Sequence, residues 1–388
     1  GIQIMNGFDA AHMSYGPDLV IVGNAVTREN PEVKKMKKMG LPYCSMPQAL
    51  NRFFAEDKKT LLVSGTHGKT TTASILAWMI YKVGLDPSFM IGGILQNFDS
   101  NYRLGDGDAF IIEGDEYDTA FFDKGPKFMH FHPAATVLTS VEFDHADIFR
   151  DLNHVQTVFS RFLVQLKPSS LLLAFDADEN IRRIISEAHC RVQFYGNDVH
   201  SNWCLGDIQI DAPWSIFEVL KSGQRYGRSK TQMLCRHNLY NALAVVAIAD
   251  DLGISPAEIK KALATFKGVK RRQQIRGRKN QITVMDDFAH HPTAVRETVT
   301  AVKSFQSPQR LIAVFEPRTN SSMRDVFQKV YPLAFDDADL ICIRQPPLLE
   351  KIPVAQRFSS EKLVADLKQR GKDAHFFADT EGIVEFLI

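Results

Sequence analysis

One stretch constrains this chain more than any other: Leu61-Leu62-Val63, then Gly65-Thr66-His67-Gly68-Lys69-Thr70-Thr71-Thr72, then an uncharged run from Ala73 to Ile80. The short apolar run predicts a buried parallel strand, and the run after the threonines predicts a helix that stops at Gly84. A strand, a glycine loop and a helix start in that order make a phosphate-binding geometry. Backbone N–H groups and the helix dipole face the anion, and the glycines allow its close approach. Lys69 then offers a point charge to the β and γ phosphates, and the Thr70 hydroxyl is placed for Mg²⁺. The loop is shorter than the usual G-x-x-x-x-G-K-[ST], because Val63 stands where that pattern has glycine. Gly65, Thr66, His67, Gly68, Lys69, Thr70 and Thr71 are therefore read as an ATP site, with ATP and Mg²⁺ as the expected cofactors.

The rest of the chain alternates in the same rhythm. Candidate strands at 61–65, 89–93, 109–113, 136–141, 170–175 and 192–195 are separated by helical stretches, as in a parallel sheet covered on both faces. Between 203 and 233 the strands come close together around a Lys221-Ser222-Gly223 turn, which predicts an antiparallel addition. Asn238 to Gly253 reads as a helix capped by Asn238, and Ser255-Pro256 starts another. Beyond Lys270-Arg271-Arg272 a second alternation begins, with strands at 281–286, 310–315, 340–344 and 374–377 and helices at 294–304, 323–331 and 360–370. The segment before residue 57 has one clear strand at 18–23 and two helical stretches. Its Lys34, Lys35, Lys37 and Lys38 read as a solvated face.

Length and composition narrow the function classes. A chain of 388 residues has room for two or three domains. Lys and Arg number 46 against 45 Asp and Glu, so nothing global points to nucleic acid. No apolar run reaches the roughly 18 residues of a membrane span. The five cysteines are scattered, as expected of reduced thiols in a cytoplasmic protein. The start at Gly1 and the apolar run up to Ile388 suggest a fragment of a longer chain.

Two acidic clusters follow predicted strands at the edge where α/β sheets bind ligands. Glu113-Gly114-Asp115-Glu116-Tyr117-Asp118 reads either as a solvated loop or, beside a phosphate loop, as carboxylates for a hard cation. Glu142-Phe143-Asp144-His145-Ala146-Asp147 repeats that placement, and His145 suits a second metal or a phosphate oxygen. Arg271-Arg272 is either a solvated hinge or a cation for the γ-phosphate. Asp286-Asp287-Phe288-Ala289-His290-His291-Pro292 and Phe315-Glu316-Pro317-Arg318-Thr319-Asn320 lie at strand ends. They are ordinary polar loops or the far wall of a cleft.

Taken together and in this order, the loop at 65–72, the clusters at 113–118 and 142–147, His237-Asn238-Leu239-Tyr240-Asn241-Ala242 and the 286–293 stretch resemble the Mur ligases. These are the ATP-dependent amide-forming enzymes of peptidoglycan synthesis, and the match runs from about residue 10 to 320. The resemblance implies an α/β fold in three parts: a remnant of an N-terminal UDP-binding α/β domain over 1–57, a central P-loop-type parallel-sheet ATPase domain with an antiparallel addition over 58–270, and a truncated Rossmann-like C-terminal substrate domain over 271–388. It assigns Glu113 to magnesium, His145 to a second magnesium site, Asn238 to the adenine, Arg272 to the γ-phosphate and Asp287 to the nucleotide. Lys69, Arg272 and His145 are then the catalytic set. Glu116, Asp118, His290, His291 and Arg318 fall on the substrate side.

Within the family, the wording at 118–124, 142–149 and 315–320 tilts the implied substrates to UDP-N-acetylmuramate and the murein tripeptide L-alanyl-γ-D-glutamyl-meso-diaminopimelate, in cell-wall recycling. The alternative is addition of a single L-alanine. A rival of another class is a binding protein merely switched by ATP. A folate-type ligase is a third. The expected partners are small molecules, with no nucleic acid and no membrane, in a monomer or weak dimer.

Overall fold

The computed structural model describes residues 2–306 and 309–388. Its centre is a ten-stranded sheet in the spatial order Gln224–Thr231, Trp214–Lys221, Trp203–Asp211, Arg191–Gly196, Leu171–Phe175, Ala135–Leu138, Lys59–Ser64, Ala109–Gly114, Ser88–Leu95 and Ser100–Arg103. Neighbours from 203–211 through 88–95 run parallel, whereas the strands at both ends pair antiparallel. The 203–233 region is the antiparallel addition read from the sequence. Its 221–224 hairpin turns on Ser222 at φ 49° and Gly223 at φ 76°, the left-handed pair that matches strand twist.

Strand residues alternate between two cores, as a pleated backbone requires. Leu61 and Val63 face helices Lys69–Lys82, Arg236–Asp251 and Pro256–Thr265, while Leu62 and Ile112 face the opposite core with Phe159 and Phe162 of helix Leu152–Gln165. Helix 69–82 buries Ile75, Leu76, Ala77, Met79 and Ile80 because it is wedged between the sheet and helix 236–251. That fixes its N-terminus at the sheet's carboxyl edge.

The C-terminal unit has its own core on a three-stranded parallel sheet, Ile312–Phe315, Leu340–Arg344 and Ala374–Phe377. It is covered by helices Pro292–Gln306, Ser360–Gln369 and Thr380–Leu387. The first part of the chain pairs strands Val20–Val22 and Tyr43–Ser45 beside helix Pro31–Lys38.

Several elements depart from the sequence reading. Asn238 is not a cap: the helix starts at Arg236, and Asn238 lies buried in its first turn, donating to Leu234 O at 2.9 Å. Residues 323–331 form no α-helix, only short 3₁₀ turns at Asp325–Phe327 and Tyr331–Phe335. Pro332 and the buried aromatics Phe327, Tyr331 and Phe335 shape that segment around side-chain packing rather than helical spacing. The strand expected at 136–141 ends at Leu138, leaving 139–147 as a loop beside the glycine loop at 65–68. The strand expected at 281–286 is the second arm of a hairpin, Gln274–Lys279 with Ile282–Asp286, whose first strand is polar and occupies the expected boundary region.

Candidate active site

Gly65 and Gly68 take φ values of 126° and 78° at the end of strand 59–64. A Cβ on Gly65 would collide with Thr139 and Ser140, and one on Gly68 would lie 2.8 Å from Asn241 Oδ1. A side chain at Gly65 would run into the Ser140 backbone, and one at Gly68 would need a left-handed backbone and a displaced Asn241. The loop is pinned to the neighbouring strand end: Thr66 N–H donates to Ser140 O and His67 N–H to Ser140 Oγ, both at 2.9 Å. The helix beginning at Lys69 thus presents unpaired first-turn N–H groups beside a glycine cradle, which is what a phosphate requires. Lys69 Nζ reaches back to Gly65 O at 2.5 Å and pairs with Glu116 Oε2 at 2.9 Å. Burial alone would lower the Lys69 pKa, but the Glu116 and Asp115 carboxylates outweigh it and raise it.

Strand 109–114 lies directly beside strand 59–64, so its acidic end faces the loop. Glu113 is buried and accepts from Gly92 N–H at 2.6 Å and from Thr70 Oγ1 at 3.1 Å. Burial and the nearby Asp115 raise its pKa. Arg272 Nη2 donates to the same Thr70 hydroxyl at 3.3 Å. Thr70, Glu113 and Arg272 are one connected group, tying the loop to the chain that leads into the C-terminal unit. Glu116 lies beneath Lys69 rather than in the cleft. Burial would raise its pKa, but Lys69 and His145, whose Nε2 is 3.5 Å away, lower it. His145 adopts φ 51°, and its ring lies tilted against Tyr117, with the centroids 5.0 Å apart. Burial pulls its pKa down, and Glu116 more than reverses this.

The 142–147 loop meets the C-terminal unit. Thr293 Oγ1 donates to Glu142 Oε2 at 2.7 Å, His291 Nε2 lies 3.1 Å from Phe143 O, and His290 Nε2 is 3.7 Å from Asp144 Oδ2. Ala146 N–H donates to Ser321 Oγ at 3.1 Å, and Asn320 Nδ2 to Asp147 Oδ2 at 2.9 Å. Burial opposes the charge of Asp144, yet His290, His145 and Ser321 hold its carboxyl far below the usual range. Burial pushes His291 down to about 4. Burial likewise opposes the charge of Glu142, but its contacts to His67, His291 and Thr293 lower its pKa from 4.5 to about 2.

A carboxylate with a depressed folded-state pKa adds stability above its unfolded value and loses it as pH falls through the folded one. Wild-type unfolding free energy is therefore expected to drop as pH falls from about 4.5 to about 2. Glu142→Gln flattens that drop in a urea titration followed against pH, and an identical slope in both proteins counts against the ion-pair account.

Asp287 caps its own turn, accepting from Gln273 N–H at 2.9 Å and Ala289 N–H at 2.7 Å. Burial raises its pKa. Gln273 also accepts from Asn238 Nδ2 at 3.1 Å, so Asn238 and Asp287 share one neighbour. A cleft of about 730 Å³ is lined by Thr66 through Thr71, Glu113, His145, Asn238, Arg272, Asp287, His290 and His291. Gly65 and Glu116 are buried behind it. Asp118 and Arg318 are not brought in: Asp118 pairs with Lys124 at 2.8 Å, and Arg318, 73% exposed, lies 3.4 Å from Glu316. The cleft also takes in Asp144, Tyr117, Lys127 and an aromatic wall of Phe175, Tyr195 and Tyr240, none of which the sequence reading assigned a role. Asp144 stood inside a cluster already singled out. Tyr117 likewise stood inside the 113–118 cluster, whereas Lys127 carried no signal, since only folding brings its Nζ within 3.4 Å of Asp115.

Three family models match the chain along its length. The Mur ligase middle domain matches residues 63–249, the Mur ligase glutamate ligase domain 271–388, and the Mur ligase family catalytic domain 1–58. The chain is 40% identical to the UDP-N-acetylmuramate–L-alanyl-γ-D-glutamyl-meso-2,6-diaminoheptandioate ligase of Escherichia coli (strain K12), over 89% of this chain and 75% of that protein. The chain belongs to the Mur ligase family.

Mur ligases are ATP-dependent, amide-bond-forming enzymes. A second relative, the UDP-N-acetylmuramate–L-alanine ligase of Acetivibrio thermocellus, is 32% identical over 100% of this chain and 81% of its own. Among solved structures, the UDP-N-acetylmuramate:L-alanyl-γ-D-glutamyl-meso-diaminopimelate ligase from Neisseria meningitides superposes with a TM-score of 0.64 at 38% identity, covering 69% of this chain and 84% of that one. No helix among the described residues is long and apolar enough to cross a membrane.

Proposed function

We propose that this Mur ligase joins L-alanyl-γ-D-glutamyl-meso-diaminopimelate to UDP-N-acetylmuramate, using ATP, in the recycling of wall peptides. The observation that carries the chemistry is the connected group Thr70–Glu113–Arg272 beside Lys69, at the mouth of a glycine cradle. The tripeptide reading is supported by the 118–124, 142–149 and 315–320 wording and by 40% identity to a relative named for that substrate, against 32% to one named for L-alanine.

In the proposed reaction the lactyl carboxylate of UDP-N-acetylmuramate attacks the γ-phosphorus of ATP and ADP leaves. The tripeptide amine then displaces phosphate from the acyl phosphate, giving the amide. Mg²⁺ fits the Thr70 hydroxyl and the Glu113 carboxylate, hard oxygens 3.1 Å apart, and supplies charge neutralisation on the phosphates when bound. Lys69 and Arg272 stabilise charge on the transferred phosphoryl oxygens. His145, held by Glu116, faces the same oxygens, while Asn238 and Asp287 take the nucleoside end. His290 and His291 border the amine. The contacts of the 142–147 loop to residues 290–293 and 320–321 keep the two sides aligned and water out of the reacting centre.

Phosphate release with ATP, Mg²⁺ and UDP-N-acetylmuramate is expected to rise strongly with the tripeptide and little with L-alanine. Stimulation by L-alanine alone moves the chain to the alanine-adding reaction. Phosphate release without an amide product, read by mass spectrometry, supports the ATP-switched binding protein instead.

A further inference from the structure

His67, Glu142 and His291 converge from the phosphate loop, the 142–147 loop and the C-terminal unit. One ligand atom from each lies within 4.8 Å of the others. His67 Nε2 is 3.6 Å from Glu142 Oε1, and His291 Nδ1 is 3.8 Å from Glu142 Oε2. These gaps are too long for hydrogen bonds, and they are close to the roughly 3.3 Å between neighbouring ligands around a tetrahedral zinc ion. His67 Nε2 is buried with no hydrogen-bond partner among the described residues. Such an atom calls for a reason.

The surroundings already orient the three groups. His291 Nε2 faces the Phe143 carbonyl at 3.1 Å, and a carbonyl only accepts, so Nε2 carries the hydrogen and Nδ1 keeps its lone pair. A carbonyl behind the ring is the arrangement that metal-binding histidines use to fix their tautomer. The Nδ1 lone pair now takes a long bond from Thr293 N–H at 3.2 Å, the contact an ion would displace. Glu142 is held in place by Thr293 Oγ1, which donates at 2.7 Å to the Oε2 that faces His291, and through its backbone N–H, which donates to Thr66 Oγ1 at 2.8 Å. All three side chains line the cleft, so an ion can enter from solvent.

We propose that His67, Glu142 and His291 form a binding site for a zinc-class divalent cation, separate from the Thr70–Glu113 oxygens. Two imidazoles and one carboxylate, with a fourth position open to water, are the donors of a borderline-soft ion rather than of magnesium. A bound ion ties the phosphate loop to the C-terminal unit through His67 and His291. The site stands or falls independently of which amine the ligase uses.

Co²⁺ is the probe, because its visible spectrum reports coordination. It is titrated into the full chain without nucleotide or magnesium and then displaced by Zn²⁺. The expected result is one equivalent with a tetrahedral-type spectrum, displaced by Zn²⁺. His67→Ala and Glu142→Gln are each expected to weaken binding by at least about tenfold, with Glu113→Gln unchanged. Glu142→Gln preserves the side-chain shape, so it carries the comparison if His67→Ala does not fold. The proposal is overturned by no uptake at about 1 mM Co²⁺, far weaker than a built site provides. An octahedral spectrum that disappears in Glu113→Gln and survives in Glu142→Gln overturns it equally.

Discussion

Lys69→Ala should lose roughly a thousandfold in turnover, because an electrostatic donor aimed at the transferred phosphoryl group is among the largest single contributions an active site makes. The same substitution should also destabilise the protein. Lys69 is paired with Glu116, whose side chain is 2% exposed, and among the described residues that carboxylate's other basic neighbour within 4 Å is His145 at 3.5 Å. Removing one partner of a buried pair leaves an uncompensated charge and costs about 3–5 kcal/mol. The two effects separate in a double variant. Lys69→Ala/Glu116→Gln is expected to recover most of the denaturation midpoint while remaining inactive. If turnover returns together with stability, Lys69 is a structural residue and the phosphate assignment is wrong. Wild-type phosphate release from a well-folded single variant has the same meaning.

Arg272→Ala is the second large effect, expected at about a hundred- to a thousandfold in kcat. Its neighbour provides the control. Both arginines lie over the Phe288 ring, at 5.2 Å for Arg272 and 5.1 Å for Arg271. Only Arg272 lines the cleft and reaches Thr70 Oγ1, whereas Arg271 turns to Asp286 at 3.8 Å. Arg271→Ala should therefore stay within about threefold of wild type, the range of a surface ion pair. Equal losses at both positions would point to the shape of the hinge, not to charge on the phosphates.

The phosphate loop was readable because its signal is local. A glycine needed for a positive φ, a lysine and a threonine sit within eight residues of one another, and an apolar strand and helix bracket them. The acidic clusters were readable as positions, since each follows a strand, and strand ends define the ligand edge of such a sheet. Individual roles were harder. Glu116 and Asp118 are two residues apart on one turn, yet one lies buried under Lys69 and the other pairs with Lys124 outside the cleft. Asn238 looked like a cap, but the cap position lies three residues earlier, at Cys235 with φ 79°.

The sequence by itself therefore determined the α/β class, the glycine loop between strand and helix and the edge at which the acidic clusters gather, because short-range spacing and hydrophobic period encode them. Its motifs in order carried the resemblance to the family. Only the tertiary structure decided which charges meet. Strand 109–114 lies beside strand 59–64 through register across 50 residues of chain, and that places Glu113 on Thr70 and Glu116 on Lys69. The docking of residues 290–293 onto 142–145 spans a still longer separation and makes the cluster of His67, Glu142 and His291. Contacts of that kind depend on the packing of whole elements, which no local pattern records.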